Sequence, residues 1–348
     1  MQPLRIIIAN LSAMSLGFTM TSPANAQTVG DLDIGDGMPI EEDITASGPI
    51  GPLRGTLTLP TEHGPLPADV PVFLVVPGSG PTDRDGNSPL GIAAAPYRLL
   101  AEALAVRGHP SVRIDKRGMF GSEGASPDPN DVTIASYGDD LLAWTAAIRK
   151  RLPTEDGTRC VIPIGHSEGG LVALAAIARL PDACGLILIA SIGRSLDEVI
   201  GEQLRANPAN APFLQEAEAA LATLKRGERV DAGTISPALR PLLGAEVQGF
   251  LIDAMSYDPL ELAARVEVPM LILQGTRDLQ VSMADARMLA DAAPNATLAL
   301  LPDVSHVLKT VASEDLSANL ATYADPNIPI APLVVDAVAD FVDGIRAE

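Results

Sequence analysis

The sequence predicts an α/β protein in which a mainly parallel sheet is covered by helices on both faces. Short apolar segments alternate with helical patterns along most of the chain, as they do in strand–helix–strand units. The alternation breaks between about residues 193 and 262, where several helical patterns follow one another. A serine also stands between one apolar segment and the helix after it, in a turn of small residues. Together these observations predict one α/β core with a helical insertion.

Residues 1–26 have the three parts of a secretory signal peptide. Arg5 supplies the positive end, residues 6–20 are mostly apolar, and residues 24–26 form an A-x-A cleavage site before Gln27. The apolar stretch is too short to span a membrane. We therefore expect an exported bacterial protein, periplasmic or secreted.

The core is predicted at residues 43–192 and 263–348, preceded by a flexible, Gly- and Asp-rich segment at 27–42. The core starts with an antiparallel hairpin over 43–60, and residues 309–331 are predicted to be an irregular crossing. The other strands are predicted from apolar runs at 72–76, 111–114, 161–164, 185–191, 269–275 and 297–301. Helices are predicted at 97–107, 134–151, 171–178 and 331–347.

The insertion at 193–262 includes helical patterns at 195–206 and 212–225. It lies between two strands of the parallel sheet, so it must emerge beyond their carboxyl ends, where pockets of open α/β sheets lie. We interpret it as a helical cap that excludes water and selects substrates. The alternative is a packing insertion that never touches a substrate.

A Gly-x-Ser-x-Gly pattern places Ser167 between the strand at 161–164 and the helix at 171–178. In that context the serine sits on a sharp turn, with its hydroxyl exposed at the carboxyl edge of the sheet. The turn also lies at the amino end of a helix, which stabilises developing negative charge. The pattern therefore predicts that Ser167 is a nucleophile.

A serine nucleophile needs a base, and the chain has four histidines. His166 adjoins the serine, and a neighbour on such a turn generally points away from it. His63 lies in a Pro/Gly-rich turn, and His109 connects a helix to a strand at the opposite sheet edge. His306 lies on a loop that leaves the carboxyl end of the strand at 297–301. We therefore predict His306 as the base.

An acid that orients the base should lie between the serine and the histidine in chain order. Asp278 leaves the carboxyl end of the predicted strand at 269–275, so its carboxylate can accept a hydrogen bond from His306. Asp303, close to His306 in sequence, and Asp197, which follows the strand at 185–191, are the alternatives. We favour Asp278.

The negative oxygen of an acyl-transfer intermediate needs two backbone N–H donors. One should be Glu168, the residue after the nucleophile. The other should come from the loop at 77–81, whose glycines let the backbone approach a ligand closely. Pro81 has no N–H, which leaves Ser79 or Gly80, and we favour Ser79.

Composition excludes some functions. The formal net charge of −20 argues against nucleic-acid binding and disfavours anionic membrane surfaces. The sequence has no Cys/His cluster with metal-ligand spacing and no dinucleotide glycine fingerprint in context, so neither a metal nor a cofactor is expected. The 348 residues, 47% of them hydrophobic, suffice for one large domain with an insertion.

The two cysteines, Cys160 and Cys184, precede neighbouring strands, each seven residues before a serine that ends the strand. Export would allow a disulfide, and adjacent strands are close enough to form one if the side chains face alike. The alternative is two small buried apolar side chains. The sequence leaves both open.

These residues, with several further segments, resemble the α/β-hydrolase superfamily, most closely a bacterial esterase group described as serine aminopeptidase-like or dipeptidyl-aminopeptidase-like. The resemblance runs from about residue 43 to the carboxyl end. Two positions depart from the pattern: Pro77–Gly78 replaces a frequent His-Gly, and Pro163 lies inside a predicted central strand, where a local bulge is expected. The segments are PGSGPTDRDGN at 77–87, DKRGMFGS at 115–122, YDP at 257–259, GTRD at 275–278 and SHVLK at 305–309.

The resemblance implies the α/β-hydrolase fold and a serine hydrolase. We expect a small-molecule partner, a small or medium carboxylic ester. An exopeptidase is the second enzyme hypothesis, although the sequence offers no group that would anchor a peptide terminus. A non-catalytic binding protein on the same fold is the alternative from another class, and the complete triad argues against it.

Overall fold

The computed structural model describes residues 38–60, 66–128, 131–181 and 183–347. The predicted signal peptide, most of the segment at 27–42 and His63 lie outside these residues. The strands are β1 (Ile40–Ser47), β2 (Pro52–Leu59), β3 (Val72–Val76), β4 (Ser111–Ile114), β5 (Val161–His166), β6 (Leu186–Ile189), β7 (Met270–Gly275) and β8 (Ala296–Leu301). The helices are α1 (Pro96–Val106), α2 (Ile134–Arg151), α3 (Glu168–Ala176), α4 (Leu196–Ala206), α5 (Leu214–Lys225), α6 (Arg240–Leu243), α7 (Ala245–Met255), α8 (Pro259–Ala263), α9 (Met283–Ala292), α10 (Leu316–Ala324) and α11 (Pro332–Ala347).

The eight strands of the described residues form one sheet in the order β1-β2-β4-β3-β5-β6-β7-β8. The pairs β1–β2 and β2–β4 are antiparallel, whereas every other pair is parallel. Strands β3, β5, β6 and β7 are buried along their whole length, because helices cover both faces of a parallel sheet. This confirms the predicted α/β class and its mainly parallel sheet.

Strand alternation sends the core side chains to two faces. On one face, Phe73, Ile162 and Ile164 pack with residues of α1 and α11. On the other, Leu74 and Val161 belong to the cluster that contains residues of α2, α3 and α9. Within the described residues, no helix combines the length and apolar character needed to cross a bilayer.

Strand β1 and helix α10 differ from the sequence-based expectations, whereas the local bulge expected at Pro163 is present. Strand β1 starts at Ile40, so the last residues of the predicted flexible segment belong to the hairpin. Helix α10 lies within residues 309–331, which were expected to be irregular. Around Pro163, the pairing of β5 with β3 is continuous, but the pairing with β6 shifts by one residue between Val161–Ala183 and Ile164–Ile187. The irregularity that Pro163 imposes therefore lies on the β6 side alone.

Residues 193–262 contain helices α4 to α7 and the start of α8. Two hydrogen bonds attach these helices to segments beyond the sheet edge. Gln203 Nε2 of α4 donates to the carbonyl of Gln280 at 2.9 Å, and the N–H of Ile134, at the start of α2, donates to Asp253 Oδ2 of α7 at 2.7 Å. The insertion is therefore joined both to the loop after β7 and to the amino end of α2.

The two cysteines form a disulfide between the residues that precede β5 and β6, with a Cα–Cα distance of 5.7 Å. Of the two alternatives that the sequence left open, the structure has the bridge, because Cys160 and Cys184 lie within disulfide distance at the amino edge of the sheet. The bridge is therefore remote from the carboxyl edge at which β5 ends in the serine turn.

Candidate active site

Ser167 occupies a strained turn between β5 and α3. Its backbone has φ 55° and ψ −123°, in a region that residues with side chains rarely adopt. The glycines around it are required by space: a Cβ on Gly169 would lie 2.3 Å from the carbonyl oxygen of Val76, and one on Gly170 would lie 2.0 Å from Ser191 Oγ. The turn can therefore form only with these small neighbours, and it holds Ser167 at the amino end of α3.

Asp278 and His306 are in direct contact. His306 Nδ1 and Asp278 Oδ2 are 2.9 Å apart, and the two side chains are 6% and 1% exposed. The other carboxylate oxygen accepts the N–H groups of Gln280 at 2.7 Å and Val281 at 3.0 Å. Burial alone would raise the pKa of Asp278, but the His306 imidazole and these hydrogen bonds outweigh it and lower the pKa. The carboxylate therefore stays ionised beside the imidazole.

The two alternative acids have other partners. Asp303 Oδ1 accepts from Arg277 Nε at 3.0 Å. Asp197 lies 3.3 Å from Lys225 and hydrogen-bonds to Ser195. Neither has a contact with His306 among the residues that the structure describes. Of the three candidates, Asp278 is thus the one that hydrogen-bonds to His306 in the described residues.

His166 has a position that the sequence analysis did not anticipate. Its buried ring lies 4.6 Å from the His306 ring, centroid to centroid. Its Nε2 donates to the carbonyl of His306 at 2.9 Å, and its Nδ1 accepts the hydroxyl of Tyr97 at 2.9 Å. Burial, with the nearby His306, lowers the pKa of His166 to about 3, so the ring is neutral. His166 thus ties the serine turn to the loop that carries His306.

Strand alternation is the signal that could have located His166. Residues two apart on a strand share a face, so His166 lies on the face of Ile164 and Ile162. That face packs against α1, on which Tyr97 lies. The side chain therefore points away from the serine, as expected, but into the contacts that position His306.

Ser167 is connected to His306 through its neighbour His166, which hydrogen-bonds to the His306 carbonyl, and not by a direct hydrogen bond. Among the described residues, no hydrogen bond joins the Ser167 hydroxyl to His306. Hydrogen bonds between catalytic groups are often long in unliganded proteins and tighten when substrate binds. Ser167 itself is half-buried.

The loop after β3 lies against the serine turn. A Cβ on Gly78 would lie 3.1 Å from Ser167 Cβ, so the backbone approaches Ser167 closely. The N–H of Gly78 donates to the Tyr97 hydroxyl at 3.1 Å and is not free for a ligand. The N–H groups of Ser79 and Glu168, the two predicted oxyanion donors, have no acceptor among the described residues. Both therefore remain available to a negatively charged oxygen.

Ion pairs hold this loop on the sheet. Arg84 makes a two-point contact with Asp115 after β4, through Nε at 2.9 Å and Nη2 at 2.6 Å. Asp85 pairs with the buried Arg113 of β4. The buried Lys116 donates from Nζ to the carbonyl of Gly78 at 2.6 Å. These contacts fix the loop against the β4 exit.

In the described part of the chain, no three His, Cys, Asp or Glu side chains are grouped as a metal ion would require. The chemistry that the arrangement itself offers is that of a serine nucleophile, an imidazole–carboxylate pair and two free backbone donors.

Comparison with known proteins points to one family. A family model described as serine aminopeptidase, S33, matches residues 91–310. Esterase EstD of Thermotoga maritima is 30% identical over 275 residues, which cover 77% of this chain and 60% of the esterase. The chain thus spans less than two thirds of the length of that relative.

Solved structures share the fold at lower identity. Est1E from Butyrivibrio proteoclasticus superposes with a TM-score of 0.56 at 20% identity, covering 88% of this chain and 100% of that one. The esterase Pf2001 of Pyrococcus furiosus superposes with a TM-score of 0.55 at 16% identity, covering 94% and 99%. At these identities the likeness establishes the fold alone.

Proposed function

Because the chain belongs to the serine aminopeptidase S33 family and has the α/β-hydrolase fold, we propose that it is an exported serine hydrolase of carboxylic esters. The substrates are small or medium esters, cleaved through an acyl-enzyme. The observation that carries the proposal is the Asp278–His306 pair, linked through His166 to the strained turn of Ser167.

The mechanism follows from these positions. Ser167 Oγ attacks the ester carbonyl while His306 Nε2 takes its proton, and Asp278 holds the imidazole by Nδ1. The carbonyl oxygen becomes negative and accepts the N–H groups of Ser79 and Glu168. His306 then returns the proton to the departing alcohol. A water molecule, activated by His306, hydrolyses the acyl-enzyme and restores the Ser167 hydroxyl.

A substrate series tests the reaction class. We expect p-nitrophenyl esters of increasing acyl length to be hydrolysed, with kcat/KM far above that for aminoacyl-p-nitroanilides. Amide cleavage usually needs a group that anchors the amino or carboxyl terminus of the peptide. Glu168, the buried acid beside the nucleophile, already faces Lys116 and is therefore not free to bind a peptide amine. Efficient anilide hydrolysis with weak ester hydrolysis would replace the esterase proposal with the exopeptidase.

Export is supported by the signal-peptide pattern of residues 1–26 and by the Cys160–Cys184 disulfide, since disulfides persist in oxidising compartments. Expression of the full chain in a Gram-negative host, followed by periplasmic extraction and intact-mass measurement, should give a protein that starts at Gln27. A cytoplasmic protein that retains residues 1–26 would contradict export.

A further inference from the structure

Lys116 is a buried cation that the catalytic mechanism does not use. It follows β4, and its side chain is 4% exposed. Its Nζ lies 2.6 Å from the carbonyl oxygen of Gly78 and 3.9 Å from Glu168 Oε1. The face of the Tyr137 ring lies 5.7 Å from the ammonium. The ammonium is therefore placed between the loop after β3 and the serine turn.

The two polar neighbours of Lys116 belong to the two segments that supply the oxyanion donors. Gly78 precedes Ser79, and Glu168 carries the second donor N–H itself. Lys116 contacts neither N–H group directly. Its Nζ binds the carbonyl oxygen of Gly78, which belongs to the same peptide group as the Ser79 N–H, and faces the side-chain carboxylate of Glu168. The Lys116 ammonium thus contacts both segments that supply oxyanion donors, without occupying the position of the oxyanion.

Peptide planarity turns the Gly78 contact into control of Ser79. The Gly78–Ser79 peptide is trans, so the carbonyl of Gly78 and the N–H of Ser79 point in opposite directions within one rigid plane. Fixing the carbonyl therefore fixes the N–H. A rotation of this plane would bring the carbonyl oxygen to the side where the N–H is needed, and the hole would repel the negative oxygen.

The neighbouring plane is held as well. The N–H of Gly78, in the peptide before, donates to Tyr97, which in turn donates to His166. Glycine is the residue with the greatest backbone freedom, so position 78 is where this loop would otherwise rotate. Both peptide planes that meet at Gly78 are thus clamped by buried side chains.

We propose that Lys116 is a positioning residue that aligns the two oxyanion donors, Ser79 and Glu168, before substrate binds. The inference rests on the proposed function. Burying an ammonium is costly, and burial lowers the pKa of Lys116 while Glu168 opposes that shift. The carbonyl of Gly78 and the carboxylate of Glu168 offset this cost, and the same two contacts align the oxyanion donors.

The test compares Lys116→Met with Arg159→Met. Arg159 is also a buried cation that donates to a backbone carbonyl at 2.6 Å, that of Pro67, but it lies beside the disulfide at the amino edge of the sheet. For each variant, kcat and KM on a short p-nitrophenyl ester are measured with the inhibition constant of an aryl trifluoromethyl ketone. Ser167 Oγ adds to the ketone carbon, its proton passes to His306, and the ketone oxygen becomes the anion in the hole.

In Lys116→Met we expect kcat to fall about 10- to 100-fold with KM nearly unchanged, somewhat less than the loss of a whole donor. Affinity for the trifluoromethyl ketone should fall by a similar factor, because the inhibitor resembles the transition state. Arg159→Met should retain both values. A role in stability alone would lower the melting temperature and leave kcat and the inhibition constant unchanged, which would overturn the proposal.

Glu168→Gln tests the second contact and keeps the proposal falsifiable if Lys116→Met does not fold. The substitution preserves the backbone N–H and the side-chain volume but removes the charge that faces Lys116. We expect a smaller loss of kcat, about 3- to 10-fold, again with weaker ketone binding. Wild-type values for both would contradict the alignment. Failure of the proposed function would look different, because the wild-type protein itself would not hydrolyse esters.

Discussion

The backbone of Ser167, at φ 55°, carries strain that only the surrounding packing can maintain. Gly169 and Gly170 allow β3 and Ser191 to approach the turn, and the Ser167 N–H donates to the carbonyl of Ile189 at 2.9 Å. The hydroxyl is consequently positioned by β3, β5 and β6 together. The conformation of this turn is therefore fixed by the sheet edge rather than by the serine alone.

The triad assignment predicts unequal effects for two aspartates near His306. Asp278→Asn should lower kcat by about 10³- to 10⁴-fold, because the amide favours the wrong imidazole tautomer. Asp303→Asn is the matched control, since Asp303 pairs with Arg277 instead, and we expect kcat within about threefold of wild type. Steady-state ester hydrolysis measures both. Equal losses of kcat in the two variants would contradict the assignment of Asp278 as the acid of the triad.

Ser167→Ala and His306→Ala should each lower kcat by about 10³-fold or more with folding intact, because the nucleophile and its base act as a unit. The double variant should be scarcely worse than either single one. Circular dichroism provides the control for folding. Near-normal turnover in His306→Ala would refute the choice of base.

His166 makes stability depend on pH with a definite sign. Its folded pKa of about 3 lies below the ordinary 6.5, so between these values the unfolded chain binds a proton that the folded chain does not. Its contribution is fully present above pH 6.5 and is lost as the pH falls toward 3. In His166→Asn the urea-unfolding free energy should fall less steeply over pH 6.5–4, by up to about 1.4 kcal/mol per pH unit. Parallel slopes would contradict a neutral His166.

Among the elements, the helices of residues 193–262 are the ones whose role in substrate selection can be tested apart from the sheet. Phe213 and Leu214, at the start of α5, are partly buried against the core. If this insertion selects the acyl group, Leu214→Ala should change the ratio of kcat/KM between long and short esters more than the activity on acetate. Leu316→Ala, at the exposed start of α10, is the control. A uniform loss over all esters would assign the insertion a packing role.

The disulfide joins two strand starts at the edge opposite the nucleophile. The chain-entropy relation gives about 3 kcal/mol for a loop of this length, so reduction should lower Tm by roughly 5 °C and leave kcat unchanged at 25 °C. A Cys160→Ala/Cys184→Ala variant should not respond to the reductant. Thiol titration of the denatured, unreduced protein should find no free thiol; two free thiols would exclude the bridge.

Over the whole molecule, buried strands were the features most easily predicted. Strands β3 and β4 have the predicted bounds, because strands buried on both faces are continuous apolar runs. Strand β1 was placed late, since its first residues are exposed at the sheet edge and show no such run. Helix α10 was missed because its buried side chains are mainly polar, Asn319 and Thr322 with Tyr323, so it has no apolar face to detect.

The site residues also differ in how far the sequence alone could predict them. Ser167, Asp278 and His306 each follow the carboxyl end of a strand, so local patterns pointed to them, and the structure places Asp278 and His306 in contact. His166 and Lys116 act through contacts with residues about 140 and 38 positions away in sequence. Strand alternation indicates the face on which the His166 side chain lies, but the partners of His166 and Lys116 are distant in sequence, so only the folded chain shows which buried polar groups meet.

Covalent labelling shows whether Ser167 is the nucleophile of a serine hydrolase. The purified protein is treated with a fluorophosphonate, and the adduct is located by peptide mass spectrometry. We predict one phosphonyl group per chain, on Ser167, with none in Ser167→Ala or in heat-unfolded protein. Absence of any adduct on the folded protein, or an adduct on a different serine, would contradict the account.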